Sequence, residues 1–371
     1  MAGVMFDLAR RAWRRLPAGL RTSAPVLSTA TQLRRWLATG DSAGLVAGSS
    51  ENRAPDPAIT PAAIAVTAPD PSPLPLPPPA PDGMRVIRTI DELDAMLVQL
   101  DAAAAISDDE LRRVFPTFRM EFPLELPADP DSDEYRAVQM RLYEWLHGRP
   151  YAVSNEVTVF DLATHVRYPF PYSTQSPDTV GNHIIAIGHV IRTLGLRGGQ
   201  SVLEFGPGWG NTTLTLARMG CHVTAVDIEA KFLALIQERA RTKGLEIETL
   251  HGDFSLARTL ERRFDAVLFF ECFHHCADHQ ALVASLDRIV APGGKILFAA
   301  EPILDEFPLP WGLRLDGESL WAIRRHGWLE LGFQETYFRA LLDRNGWRVD
   351  KVVCAETPWG VIYVAKRKVE A

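Results

Sequence analysis

The chain has 371 residues, 47% of them hydrophobic, with 46 acidic against 39 basic side chains and a formal net charge of −7. That is enough for a buried core and more than one typical domain, and the acidic balance gives no general attraction to nucleic acid. No apolar run reaches the roughly 18 residues of a spanning helix, and the spacing of Cys221, Cys272, Cys276 and Cys354 suits a reducing, cytoplasmic setting, not a disulfide framework.

The charge is uneven. Residues 1–50 carry Arg10, Arg11, Arg14, Arg15, Arg21, Arg34 and Arg35 against Asp7 and Asp41, a balance of +5 that leaves −12 for the rest. Within the basic segment 1–42, residues 5–20 can be drawn as an amphipathic helix with Phe6, Leu8, Trp13 and Leu16 among the arginines. Such a helix suits peripheral contact with an anionic membrane or resembles an organelle-targeting peptide; the same composition equally describes a disordered arm. Residues 43–82 follow as a linker, with eleven prolines from Pro55 to Pro81 holding an extended, coreless spacer.

Order is predicted from Met84. Arg85-Val86-Ile87 reads as a short extended piece, and Thr89 or Asp91 caps a helix running to about Ala105. After the breaks at Pro116, Pro123 and Pro127, Asp131-Ser132-Asp133-Glu134 caps another helix through Trp145 and Leu146. Residues 84–177 are therefore expected to form a helical N-terminal cap. Tyr168-Pro169-Phe170-Pro171-Tyr172 is aromatic and proline-stiffened, just before a helix from about Asp178 to Leu194; Tyr168 and Tyr172 are candidate lid residues, or fasten the cap to the core.

Val202-Leu203-Glu204-Phe205-Gly206-Pro207-Gly208-Trp209-Gly210 is a strand running straight into a glycine loop, with Asn211, Thr212 and Thr213 suited to the start of a helix. The third glycine follows the second by two positions, where a dinucleotide fingerprint requires three, which argues against NAD. An acid at Glu204 would repel phosphates but suits an ammonium and a sulfonium. These residues resemble the first motif of the class I S-adenosylmethionine-dependent methyltransferases. The next strands carry matching features. His222–Val226 ends at Asp227, an acid able to accept both ribose hydroxyls, and Ile247–Leu250 leads to Gly252-Asp253-Phe254. Phe264–Phe270 runs into Glu271-Cys272-Phe273-His274-His275, and Ala291-Pro292-Gly293-Gly294 turns into Lys295–Ala300 and Glu301-Pro302.

The resemblance covers residues 180–302 most fully. It implies an α/β, Rossmann-like three-layer sandwich over residues 178–371, with a seven-stranded, mostly parallel sheet whose last strand is antiparallel. It implies S-adenosyl-L-methionine as cofactor, held by Glu204, Phe205, Gly206, Gly208, Gly210, Asp227, Ile228, Asp253, Phe254 and Glu271, with Asp253 near the adenine amine and Phe254 against its ring. The family recruits acceptor selectivity from additions such as the cap. An insertion at 303–333 brings Trp311, Trp321, Trp328 and Phe333 together with Arg314, Arg324, Arg325 and His326, suited to a planar, sugar-like or anionic acceptor, or else a small lid with its own core. A helix from Gln334 to Asn345, a stop at Gly346, and strands at Trp347–Val353 and Val361–Ala365 complete the sheet.

The expected activity is methyl transfer, most naturally to oxygen, of an unidentified small-molecule or glycan acceptor. Positioning supplies roughly 7–11 kcal/mol of such catalysis and a general base about 3–5 kcal/mol. His274 and His275, beside where the family places the methyl, are the candidate bases, with Glu271, Glu301 and His326 behind them; a paired histidine here can also be structural. No metal is expected, because no second ligand cluster accompanies His274-His275-Cys276 in the sequence. The alternatives are a catalytically inactive cofactor-binding scaffold, an NAD-dependent oxidoreductase and, from Trp209 alone, the lipid-acting, cyclopropane-forming branch of the same superfamily.

Overall fold

The computed structural model describes residues 83–368. The basic segment and the proline-rich linker lie outside the described residues.

A seven-stranded sheet forms the centre. Its strands are β3 (Ser201–Phe205), β4 (His222–Asp227), β5 (Glu248–His251), β6 (Phe264–Phe270), β7 (Val290–Ala299), β11 (Trp347–Val353) and β12 (Val361–Arg367), in the spatial order β11-β12-β7-β6-β3-β4-β5. Only β12 runs against its neighbours, pairing antiparallel with both β7 and β11. The expected sheet and its reversed last strand are both present. β3 and β6 are near-continuous apolar runs because helices or the cap cover both faces. Phe205, Phe269 and Phe298 stack across β3, β6 and β7 with ring centroids 5.2 and 5.1 Å apart, tying the central strands on one face. β7 starts earlier than the proline–glycine turn suggests. Phe264 pairs with Val290 and Ala266 with Lys295, so Ala291–Gly294 bulge out opposite a single residue.

One face packs on α4 (Pro177–Leu194) and α5 (Asn211–Arg218) through Val190, Leu194 and Leu216. The other packs on α7 (His279–Ile289), on α8 (Glu335–Arg344) and on the cap, all in one continuous core. The cap is built on α1 (Ile90–Ala104), closed at its start by a Thr89–Glu92 capping box, α2 (Asp108–Val114) and α3 (Asp133–His147), capped by Ser132. A short parallel pair, β1 (Arg85–Ile87) with β2 (Phe118–Met120), joins them.

The insertion at 303–333 folds onto this cap. It forms a small sheet of β8 (Ile303–Leu304), β10 (Leu331–Gln334) and β9 (Trp311–Leu313). The Tyr135 hydroxyl donates to the Trp311 carbonyl at 2.8 Å, the Trp311 indole donates to the Pro130 carbonyl at 2.7 Å, and Gln139 accepts from the Leu313 N–H at 3.0 Å. Arg324 grips Asp94 with two bonds of 2.9 Å, and Arg325 pairs with Asp101. The insertion's arginines are thus committed to structure. Its buried side chains, Trp311, Leu320 and Phe333 among them, join the core of the cap and the sheet, and Trp328 is left for the cavity. Among the described residues no helix is long and apolar enough to cross a membrane.

Candidate active site

The strand order reverses between β3 and β6, which opens a crevice at the carboxyl ends of the parallel strands. A cavity of about 390 Å³ lies there, walled by residues that follow β3 (Gly206, Gly208), β4 (Asp227, Ile228), β5 (Asp253, Phe254) and β6 (Glu271, Cys272). Phe205 reaches the same wall. Tyr151, Glu156 and Thr158 from the cap and Trp328 from the insertion complete the lining with His275.

The loop is shaped for a ligand against bare backbone. Gly208 sits at φ +48° with nothing within 4 Å of where a Cβ would stand, so that side of its backbone is bare. Asp227 is 6% exposed, and its two carboxylate oxygens accept backbone N–H groups from Gly208 at 3.3 Å and Glu229 at 2.8 Å. Burial pushes its carboxyl up to about 6 against those two bonds. Asp253 caps the turn after β5, accepting the Ser255 N–H at 2.8 Å.

Two expected contacts sit elsewhere. Glu204 does not reach the cavity wall: it is buried behind it, accepting a hydrogen bond from the Thr213 hydroxyl at 2.6 Å, and burial together with Asp227 raises its carboxyl to about 7. Gly210 is also off the wall, at φ +73° as the N-cap of α5, where a Cβ would stand 2.5 Å from Ile236 Cγ1. Gly210→Ala combines a left-handed backbone with overpacking, so we expect a loss of about 2–5 kcal/mol in urea melts with the affinity of the folded protein for S-adenosylhomocysteine changed less than about threefold. Undiminished stability would remove this packing role. Trp209 is likewise no part of the cavity. It stacks on His165 at 4.6 Å and packs on Phe160 and on Phe232 of α6 (Ala230–Arg241), a structural role in an aromatic cluster. Tyr168 and Tyr172 stand on the surface, 53% and 36% exposed, and are not on the wall.

The two histidines have different places. His274 is buried under the wall, its Nδ1 2.7 Å from Glu301 and its Nε2 3.6 Å from Glu330. Burial pulls the imidazole down, but the bond to Glu301 and the two carboxylates outweigh it and hold His274 above its ordinary value. Glu301 anchors the turn by accepting the backbone N–H groups of Cys272, Phe273 and His274 at 3.0, 2.9 and 3.1 Å. His275 lines the cavity. Its Nδ1–H donates to the Leu329 carbonyl at 2.7 Å, which leaves Nε2 with the lone pair. Burial and the neighbouring His274 hold it neutral, well below the ordinary histidine range. Glu271 lines the same cavity at φ +52°, whereas His326 stacks on Trp328 at 4.5 Å.

Sequence reasoning missed Tyr151, Glu156 and Thr158, which carry no motif, and it had no means of bringing Glu330 to His274. The expectation of no metal rested on the lack of a second ligand cluster in the chain; the fold brings one carboxylate of the insertion, Glu330, to within 4.8 Å of His274 and His275.

The residues fit S-adenosylmethionine. An open glycine backbone, a half-satisfied buried carboxylate at Asp227, and Asp253 beside Phe254 give the cavity the donors, acceptors and apolar wall that an adenosyl group requires. Residues 203–298 match the family described as "Methyltransferase domain". The chain is 30% identical over 107 residues to a demethylmenaquinone methyltransferase of Tropheryma whipplei, covering 29% of this chain and 44% of that protein. It is 31% identical over 135 residues to a ubiquinone biosynthesis O-methyltransferase of Maricaulis maris, covering 36% and 50%. The chain thus spans half or less of these curated relatives. Among solved structures it is similar to a Burkholderia thailandensis 1,6-didemethyltoxoflavin-N1-methyltransferase, at 19% identity and a TM-score of 0.38 over 58% of this chain and 93% of that one. The chain carries a methyltransferase domain of the class I S-adenosylmethionine-dependent kind.

Proposed function

We propose that the protein transfers a methyl group to an oxygen of a small-molecule or glycan acceptor. The observation that carries this is a cavity lined by two chemically distinct groups of residues: Gly208, Asp227 and Asp253, suited to the donor, and His275, Glu156, Tyr151 and Trp328, suited to the acceptor. S-adenosylmethionine brings an already activated methyl group. The chain's own work is to hold the acceptor in line and receive its proton. Gly206, Gly208, Asp227, Ile228, Asp253 and Phe254 would hold the cofactor, while Tyr151 and Trp328 give a planar acceptor two faces to lie against. His275 acts at the acceptor oxygen, because its Nδ1–H is spent on Leu329 and its lone pair is left on Nε2. The relatives named for demethylmenaquinone and ubiquinone biosynthesis make a hydroxylated ring a natural first acceptor to try.

Calorimetry tests the donor side. S-adenosylhomocysteine is expected to bind one per chain and NAD not at all; the reverse would overturn the reading. A screen of phenolic and sugar acceptors with methyl-labelled cofactor then identifies the oxygen. Binding without transfer to any acceptor tried would favour the scaffold alternative.

A further inference from the structure

At the acceptor end of the cavity, three carboxylates crowd around two imidazoles. Glu301 holds His274 Nδ1 at 2.7 Å, the Leu329 carbonyl holds His275 Nδ1 at 2.7 Å, and Glu330 stands 3.6 Å from His274 Nε2. Glu156 stands 3.5 Å from His275 Nδ1 and is itself fixed by the Leu329 N–H at 2.8 Å. Each imidazole is oriented through Nδ1 by a carboxylate or a backbone carbonyl, the arrangement that aims Nε2 of a ligating histidine at an ion. Among the described residues, Arg314, 3.4 Å from Glu330 and shared with Asp316, brings the fixed positive charge here. One nitrogen from each histidine and one oxygen of Glu330 lie within 4.8 Å of one another. Around a tetrahedral ion with bonds of about 2.1 Å, neighbouring ligands stand about 3.4 Å apart, so rotamer-scale closure completes the set.

We propose that His274, His275 and Glu330 bind one first-row divalent transition-metal ion, with the remaining coordination position open to the cavity. Two imidazoles and one carboxylate select zinc-like ions over magnesium or calcium, which favour all-oxygen sites. A divalent charge would offset the excess of buried carboxylates, and the open position would take the acceptor oxygen and lower the pKa of its hydroxyl. With the ion bound, the Nε2 lone pair of His275 is spent on the metal, so His275 serves as a ligand in place of a base and the proton of the acidified hydroxyl leaves to water. The idea builds on the methyl-transfer reading for its purpose, but the ion is measured without cofactor or acceptor.

The experiment strips the full chain with a chelator, titrates it with Zn²⁺ and Co²⁺ by calorimetry, and counts retained metal by atomic emission. One ion per chain is expected, with affinity lowered at least tenfold in Glu330→Gln and in His275→Gln, and with Cys276→Ser unchanged. S-adenosylhomocysteine titrated into the same samples reads the donor end separately and certifies that each variant is folded. No uptake of either ion, equal uptake by Glu330→Gln and the parent, or uptake abolished by Cys276→Ser would each overturn the assignment.

Discussion

Asp227→Ala is expected to weaken S-adenosylhomocysteine binding by two to four orders of magnitude, read by calorimetry at pH 8. The carboxylate is 6% exposed and already accepts two backbone N–H groups, with its remaining lone pairs toward the cavity where a ribose diol would sit. Two charge-assisted hydrogen bonds at about 1.5–3 kcal/mol each sum to about 3–6 kcal/mol, which is that range of affinity. Stability should respond in the opposite sense. The carboxyl rises from 3.8 to about 6 on folding, chiefly by burial, so the native state binds its proton more tightly than the unfolded chain does. For an acid shifted upward, the sign is that ionisation costs stability: the wild type loses up to about 3 kcal/mol as pH rises through the window from about 4 to about 6, and nothing further above it. The variant lacks this component. Urea melts without cofactor should therefore move in the variant's favour between pH 5 and pH 8, while wild-type affinity for the ligand declines as pH falls below about 6. A stability difference that is flat over this range would mean that the carboxylate is not desolvated.

The same residue illustrates what is legible in the chain. Asp227 is legible because the end of a parallel strand places a side chain at one rim, so a strand pattern ending in an acid specifies its position. Asp253 and Phe254 follow by the same rule from β5. Glu204 is the last residue but one of β3, and there its side chain passes under the loop and onto Thr213; alternation alone does not say how far the following loop folds back. The acceptor end comes from segments that local pattern does not join. Glu156 sits in a short 3₁₀ turn of the cap and Trp328 in the insertion, and they meet only because Tyr135, Gln139 and Arg324 fasten one segment to the other. Such contacts between positions distant in the chain leave no periodicity. The aromatic and arginine content of the insertion was visible, but its use was not: Arg314 pairs with Glu330, Arg324 with Asp94 and Arg325 with Asp101, acids brought by the fold.

His274→Ala and His275→Ala should separate the two histidines that adjacency makes look equivalent. His274 bridges Glu301 and Glu330, both buried, at 2.7 and 3.6 Å. Removing it leaves the two acids facing a void, and truncating one member of a buried charged set costs about 3–5 kcal/mol. His274→Ala should therefore melt far below the parent, as followed by circular dichroism. His275, held neutral, gives up its bond to the Leu329 carbonyl and weaker contacts with Glu156 and the His274 ring, a loss of about 1–3 kcal/mol. His275→Ala should keep S-adenosylhomocysteine affinity within about threefold, while turnover on any acceptor found by the labelled screen falls by about 10²–10⁴, the range of a proton-accepting group at the reacting oxygen. Two results would break this division: turnover undiminished in His275→Ala, or His274→Ala as stable as the parent. The first would leave positioning by the cavity walls as the whole of catalysis; the second would mean that the Glu301–His274–Glu330 bridge carries no net stabilisation.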